Sequence, residues 1–156
     1  MTNEINIITD ASFCFKTKIA TFGFNCSSNH GTLSGSRAFK QSITDSFSAE
    51  FHAIKETLEI ARLNGFITNT AVLVLQSDNK GVVCAINGAT KARDDVADIV
   101  QYIYALINEF NLRLLCKHVT GHTSRNASTP IQKLQNQCDL LARGHLNLVR
   151  SFRENA

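Results

Sequence analysis

An uninterrupted apolar run at 71–75 constrains the fold more than any other stretch of the sequence. A run without a polar position is typical of a strand that is covered on both faces of a sheet. The run leads to Asp78, and helical periodicity follows over 79–86. An acid between a strand and a helix marks the edge at which open α/β sheets place their ligands. The alternative for Asp78 is a cap on the helix that follows.

The rest of the chain alternates between strand and helix patterns. Strands are predicted over 5–10, 17–24, 31–39, 71–75 and 111–119. Helices are predicted over 48–63, 79–86, 94–110 and 131–149, with Ser48 as the N-cap of the first. Short connections between the first three strands indicate an antiparallel meander. The sequence therefore predicts one α/β domain over 1–156, with a five-stranded mixed sheet (three antiparallel strands, then two parallel) flanked by helices.

Composition narrows the classes of protein that the chain can belong to. Apolar residues make up 44% and charged residues 19% of the sequence, as in ordinary globular domains. No apolar run reaches the roughly 20 residues of a membrane span, and the polar start does not resemble a signal peptide. Five cysteines without a CxxC pair are expected to be reduced thiols, which favours a cytoplasmic protein. The net charge of +3 permits an anionic partner, and we expect a monomer.

Four carboxylates fall next to predicted buried faces: Asp10, Glu50, Asp78 and Asp139. A buried acid is costly unless a cation compensates its charge. Two alternatives remain open, since Asp10 can start a turn and Glu50 can be a first-turn acid favoured by the helix dipole. Four acids on four elements nevertheless suit two Mg²⁺ ions, which prefer carboxylate oxygens. Two ions about 3.5–4 Å apart can activate water and stabilise the leaving oxygen of a phosphodiester.

Five short motifs follow one another along the chain. They are Thr9-Asp10-Ala11-Ser12, Ala49-Glu50-Phe51-His52-Ala53-Ile54, Gln76-Ser77-Asp78-Asn79-Lys80, Thr120-Gly121-His122 and Cys138-Asp139-Leu140-Leu141-Ala142-Arg143. In this order they resemble the four acidic motifs and the Gly-His loop of type 1 ribonuclease H. The resemblance covers essentially the whole chain, and the predicted order of strands and helices agrees with it.

This resemblance implies a ribonuclease H-like fold and a Mg²⁺-dependent endonuclease, with Mn²⁺ as a substitute. Its substrate would be the RNA strand of RNA/DNA hybrids, cut to leave 5′-phosphate and 3′-hydroxyl ends. By analogy Asp10 bridges two ions, Asp78 and Asp139 complete the site, and Glu50 serves mainly the second ion. His122 would assist proton transfer or product departure, and its alternative is a solvated loop histidine.

Several positions depart from the family pattern. Ser46 and Ser48 replace an Asn pair that touches the minor groove, and Lys80 replaces a Gln. There is no tryptophan, so the basic, Trp-bearing handle of some members is absent. The polar loop after His122 is long and is expected to be mobile. The residues that follow Asp10 are most similar to those of phage and mobile-element members.

Nucleic-acid contacts are predicted at five positions: Ser12, Lys16, Ser46, Ser48 and Lys80. Further cations predict a sequence-independent backbone footprint, with a solvated surface as the alternative for most of them: Lys18, Arg37, Lys40, Lys91, Arg93, Arg125 and Lys133. The departures keep two other functions open. One is a nuclease of the same fold for DNA junctions or other structured nucleic acid. The other is a catalytically idle binding module, against which the presence of all four acids argues.

Overall fold

The computed structural model describes residues 3–120 and 129–154. The strands are β1 (Glu4–Cys14), β2 (Ile19–Ser28), β3 (Gly31–Ala38), β4 (Val72–Ser77) and β5 (Arg113–His118). The helices are α1 (Ser46–Leu63), α2 (Lys80–Ile86), α3 (Ala97–Phe110) and α4 (Pro130–Glu154). The predicted order of three strands, a helix, a strand, two helices, a strand and a final helix is confirmed.

The five strands form one mixed sheet in the order β3-β2-β1-β4-β5. The first three strands pair antiparallel, and β4 joins β1 and β5 in parallel, as predicted. β1 is therefore the central strand. The last pair between β1 and β4 is Ile8 with Gln76, so β1 continues beyond the end of its parallel neighbour. Asp10 lies on this continuation.

The two faces of the sheet are covered differently. Helices α1, α2 and α3 cover one face, where their apolar stripes meet the odd-numbered side chains of β1 and β4. The buried residues of this core include Ile5, Ile7, Leu73, Leu75, Phe51, Leu58, Val82 and Ile103. α4 covers the opposite face and packs against β1, β2 and β3. Within residues 3–120 and 129–154, no helix is long and apolar enough to cross a membrane.

α4 approaches the sheet closely because β2 presents a glycine beneath it. A Cβ atom on Gly23 would overlap the carbonyl oxygen of Cys138 and would lie 2.9 Å from the Cβ of Leu141. Two residues away, the Thr21 hydroxyl donates a 2.6 Å hydrogen bond to the carbonyl oxygen of Ala142. Since Gly23 pairs with Asp10, the helix crosses the sheet directly over that acid.

The predicted end of the first strand at Asp10 is wrong. β1 continues to Cys14 because β2 pairs with it along the whole stretch, from Asp10 with Gly23 to Cys14 with Ile19. Asp10 therefore lies within a paired strand, which excludes the turn alternative. Its side chain shares a face with Gly23, and this is the face that α4 covers.

The predicted N-cap of α1 at Ser48 is also wrong, because Asp45 caps the helix. The Asp45 carboxylate accepts the Ser48 N–H at 2.8 Å, and the Ser48 hydroxyl accepts the Asp45 N–H at 3.3 Å. This capping box satisfies two backbone donors. The first turn of α1 contains no acid, so Glu50 is not a first-turn acid. α2 is capped by Asn79, whose side chain accepts the N–H of Val82, so the cap alternative for Asp78 is excluded too.

The remaining differences are shifted boundaries. The second strand runs over Ile19–Ser28 rather than 17–24, and the third strand ends one residue earlier than predicted, at Ala38. The fourth helix begins one residue earlier and ends five residues later than predicted, at Pro130 and Glu154. The third helix begins at Ala97 rather than at 94, and β4 and β5 occupy Val72–Ser77 and Arg113–His118. None of these shifts moves Asp10, Glu50, Asp78 or Asp139 from one element to another.

Candidate metal centre

Three acids from different parts of the chain converge at the end of β4. Asp10 lies on β1, Glu50 on α1 and Asp78 in the connection between β4 and α2. One carboxylate oxygen of each lies within 4.8 Å of the others. The parallel pairing of β1 with β4 accounts for the proximity of Asp78 to Asp10, because β4 ends beside Ile8.

α4 brings the fourth acid to this cluster from the other face of the sheet. Asp139 lines the same cavity as the three other acids, and its carboxylate helps to raise the pKa of Asp10. Arg143, one turn further along α4, forms a 2.6 Å ion pair with Asp139. The cavity has a volume of about 290 Å³ and is lined by Asp10, Ala11, Ser46, Glu50, Asp78, Asn79 and Asp139.

Glu50 is fixed on one side and lacks a protein partner on the other. Its Oε1 atom accepts a 3.1 Å hydrogen bond from the backbone N–H of Ala11. Its Oε2 atom is buried and has no hydrogen-bond partner within the part of the chain that the structure describes. A buried acceptor without a partner is costly. A hard cation between these carboxylates would supply the missing partner, so the residues fit a divalent metal site.

The raised pKa values of Asp10 and Glu50 also favour a cation site. Burial, followed by the charges of Asp78 and Asp139, raises the pKa of Asp10 from 3.8 to about 8. Burial, followed by the charges of Asp10 and Asp78, also raises the pKa of Glu50 above its ordinary value. Like charges in a desolvated site disfavour full ionisation. A bound cation would reverse this effect, because it stabilises the ionised carboxylates.

We expect the metal-free protein to lose stability between about pH 4 and about pH 8. The pKa of Asp10 is higher in the folded state, so its contribution to the free energy of unfolding is present below about pH 4 and is lost as the pH rises to about 8. One such group changes this free energy by up to about 1.4 kcal/mol per pH unit. Comparing wild type with Asp10→Asn in chemical denaturation with EDTA isolates the effect. A constant difference across this range would contradict the prediction.

Millimolar Mg²⁺ should raise the melting temperature, and by more at pH 8 than at pH 5. The ion binds the folded state and competes with protons for the same carboxylates. Thermal denaturation with Mg²⁺ and with EDTA measures both quantities. Equal melting temperatures in the two buffers at pH 8 would count against a metal site.

The predicted nucleic-acid contacts have different surroundings. Ser46 is exposed and lines the acidic cavity, and Ser12 is partly buried on the same face of β1 as Asp10. Lys16 is exposed in the β1–β2 turn, and Lys80 is exposed at the start of α2. Ser48 is buried at 3% exposure with its hydroxyl engaged in the helix cap, so a direct contact with a duplex is not open to it. His122 and Arg125 lie outside the described residues, as does most of the polar loop that precedes α4.

Three features of the site were not predicted from the sequence. The backbone N–H of Ala11 binds Glu50, and Asn79 lines the cavity in addition to capping α2. Arg143 neutralises part of the charge of Asp139. Only Arg143 had a visible signal, because it follows Asp139 by four residues and such pairs meet on a helix.

Comparisons with known proteins agree with this geometry. The model of the reverse transcriptase-like family matches residues 8–138 of the chain. No curated protein matches the chain significantly.

Many solved structures share the fold. Ribonuclease H1 of the halophilic archaeon Halobacterium salinarum superposes with a TM-score of 0.69 at 19% identity, over 92% of this chain and 98% of that protein. The N-terminal ribonuclease H domain of rv2228c from Mycobacterium tuberculosis gives 0.69 at 16% identity, over 97% and 99%. LC11-RNase H1 in complex with an RNA/DNA hybrid gives 0.64 at 18% identity, over 92% and 99%. The chain belongs to the reverse transcriptase-like family and has the fold of type 1 ribonuclease H.

Proposed function

We propose that the protein is a metal-dependent endonuclease that hydrolyses the RNA strand of RNA/DNA hybrids and leaves 5′-phosphate and 3′-hydroxyl ends. The observation that carries this proposal is the convergence of Asp10, Glu50 and Asp78 on one cavity. Among the described residues, nothing hydrogen-bonds to the buried Oε2 atom of Glu50. A protein that only binds nucleic acid has no need of such a costly cluster. The relative LC11-RNase H1 was solved with a hybrid bound, which supports the choice of substrate.

Asp10, Glu50, Asp78 and Asp139 would hold two Mg²⁺ ions, or Mn²⁺ in their place. When bound, these ions activate water and stabilise the leaving oxygen of a phosphodiester. Asp10 interacts with the three other acids, which supports a bridging role for it. Glu50 is anchored to the backbone of β1 through Ala11 and keeps its second oxygen for a cation.

Side chains in and near the cavity bind and orient the substrate in this proposal. The exposed Ser46 hydroxyl at the start of α1 and the Ser12 hydroxyl on β1 can donate hydrogen bonds to the hybrid. Lys80 adds a cation two residues after Asp78, where it can contact a phosphate. The ion pair with Arg143 holds the Asp139 carboxylate in one orientation before substrate binds.

The test is cleavage of four labelled substrates in Mg²⁺: an RNA/DNA hybrid, double-stranded RNA, double-stranded DNA and a four-way DNA junction. We expect cleavage of the RNA strand of the hybrid, and its loss in EDTA. Cleavage of the junction in preference to the hybrid would replace the proposed substrate with structured DNA. Binding of nucleic acid without cleavage of any substrate would identify an idle binding module.

His122→Ala should lower kcat by roughly ten- to a thousandfold, the usual range for a group that assists proton transfer. Affinity for the hybrid should hardly change, since no metal ligand is lost. Asp139→Asn should instead weaken metal binding as well, so that raised Mn²⁺ restores part of its activity but none of the activity of His122→Ala. Single-turnover cleavage across a metal titration separates the two variants.

His30→Ala is the matched control, because His30 lies in the exposed turn between β2 and β3. It should cut at the wild-type rate. If His122→Ala does the same under single- and multiple-turnover conditions, His122 has no part in the reaction.

A further inference from the structure

Positive charge is concentrated in two segments of the chain. Residues 11–44 and 140–153 contain seven of the sixteen Lys and Arg residues and none of the thirteen Asp and Glu residues. The rest of the chain has nine cations and thirteen acids, so its net charge is negative. The net charge of +3 is therefore the sum of +7 in these two segments and −4 in the rest of the chain.

The fold brings these two segments together. β2 and β3 come from the first segment, and the C-terminal half of α4 comes from the second. The Ser36 hydroxyl and the His145 Nδ1 atom lie 2.9 Å apart across this interface, and Thr21 bonds to Ala142 at 2.6 Å. Lys18 and Lys40 of the first segment and Arg153 of the second thereby lie on one positive surface, at the end of the sheet beyond Asp10 along β1. Arg143 does not add to it, because it pairs with Asp139.

A cavity of about 380 Å³ opens on this surface, between the start of β2, the chain after β3 and the last turns of α4. Its charged lining residues are Lys18, Lys40 and Arg153, and no carboxylate lines it among the described residues. Thr17 and Ser42 add hydroxyl groups to the lining. Ammonium, guanidinium and hydroxyl donors without a competing acid are the groups that bind phosphate oxygens.

One of these cations is held in place by the turn that carries it. Lys18 has a left-handed backbone conformation with φ of 60°, and its N–H donates a 2.8 Å hydrogen bond to the carbonyl oxygen of Cys14. Its ammonium group lies 4.0 Å from the centre of the exposed Phe15 ring. A cation–π contact restricts the side chain without neutralising its charge.

The distance from the acids fits the spacing of a duplex. The cavity begins about four residues beyond Asp10 along the sheet, or ~13 Å at about 3.3 Å per residue. Along α4, the fourteen residues from Asp139 to Arg153 span ~21 Å at about 1.5 Å per residue. A duplex carries one phosphate per strand about every 3.4 Å of its axis. The interval therefore corresponds to roughly four to six base pairs.

We propose that this cavity binds a backbone phosphate of the duplex, roughly four to six base pairs from the bond that is cleaved at the acids. The proposal rests on the proposed function, because it takes the acidic cavity as the site of cleavage. It gives the enzyme a second anchor and sets a minimum length for a tightly bound hybrid. Phosphate contacts of this kind are independent of base sequence.

The experiment measures binding of RNA/DNA hybrids of several lengths to protein that carries Asp10→Asn, in Mg²⁺ and across a salt titration. On this background, Lys40→Gln and Arg153→Gln should each weaken binding of hybrids of about 12 base pairs or more by roughly three- to tenfold. Each should also lower the slope of log affinity against log salt by about one. Hybrids of about three base pairs, closed by a hairpin loop so that they stay paired, should bind equally well to all variants, because they cannot span the interval of roughly four to six base pairs to the cavity.

Lys55→Gln and Arg113→Gln are the matched controls, since Lys55 lies on α1 and the exposed Arg113 begins β5 at the opposite edge of the sheet. Both should bind like the parent protein at every length. A loss for Lys40→Gln that is equal for short and long hybrids, or no larger than the loss for Lys55→Gln, would overturn the proposal.

An arm with double-stranded DNA of equal lengths separates this proposal from the proposed function. If the protein cuts no hybrid but binds DNA with the same dependence on length and on Lys40, the phosphate site stands and the assigned substrate fails. If the protein cuts hybrids and Lys40→Gln and Arg153→Gln bind every length normally, the phosphate site fails and the proposed function stands.

Discussion

Replacement of Asp10 by Asn is expected to lower the rate of hybrid cleavage by at least about a thousandfold under the proposed function, in which Asp10 would be a ligand shared by two ions and would contribute several kcal/mol to the transition state. Asn has the same shape, so β1, its pairing with Gly23 and the packing of α4 should be retained. Affinity for the hybrid should also be retained, because the predicted contacts on Ser46 and Lys80 are unchanged. Single-turnover cleavage of a labelled hybrid in Mg²⁺ gives the rate, and a binding titration gives the affinity.

A stability measurement separates this result from a loss of fold. In EDTA at pH 8, Asp10→Asn should melt at a higher temperature than the wild type, since one of the repelling carboxylates is gone. Asp94→Asn is the matched control, because Asp94 is exposed in the connection before α3. It should leave both rate and melting temperature unchanged. More than about a tenth of the wild-type rate in Asp10→Asn would refute the assignment of Asp10.

Gly23→Ala is expected to have the second largest effect. The added methyl group would overlap the carbonyl oxygen of Cys138, and a backbone group cannot move aside as a flexible side chain does. Overpacking of this kind typically costs about 1–3 kcal/mol. Because Cys138 precedes Asp139, a helix pushed from the sheet takes that acid with it. A displacement of about 1 Å can cost roughly a hundredfold in rate, and we expect a loss of this size.

Two matched variants distinguish displacement of α4 from simple loss of stability. Thr21→Val removes the hydrogen bond to Ala142 and loosens the same interface without pushing the helix away. Gly35→Ala adds a methyl group that meets only the Phe24 ring at an ordinary 3.5 Å. Cleavage assayed well below the melting temperature of each variant should fall sharply in Gly23→Ala alone. Equal rates for Gly23→Ala and Thr21→Val would mean that the approach of α4 does not control the site.

The order of elements and the convergence of three acids could be predicted because both depend on local patterns. Apolar periodicity reports which face of a segment is buried, and the ends of parallel strands meet at one edge of a sheet. The extension of β1 beyond Asp10 could not be predicted, because residues 11–14 form a strand only through pairing with β2. The cap of α1 was assigned to the wrong residue for a similar reason. Asp45 and Ser48 are both good capping residues, and Asp45 also binds Arg93, which is 48 residues away.

The role of Gly23 could not be predicted from the sequence either. A glycine in a strand pattern signals a close approach of some other backbone, but only the fold identifies that backbone as Cys138 on α4. The orphaned oxygen of Glu50 likewise depends on how α1 lies against β1. The sequence thus identified the acids, and the structure supplied the contacts that support them.

The attachment of α4 also has a consequence for the order of assembly. Its hydrogen bonds to Thr21, Thr9 and Ile8 join residues that are 121, 126 and 130 positions apart. Closing loops of this length is entropically costly, so such contacts form after the local ones. Asp139 therefore meets the other acids only once the sheet exists. If the proposed function is correct, a chain that is still emerging from the ribosome has no complete site, and nuclease activity begins only when the last helix has been made and has docked.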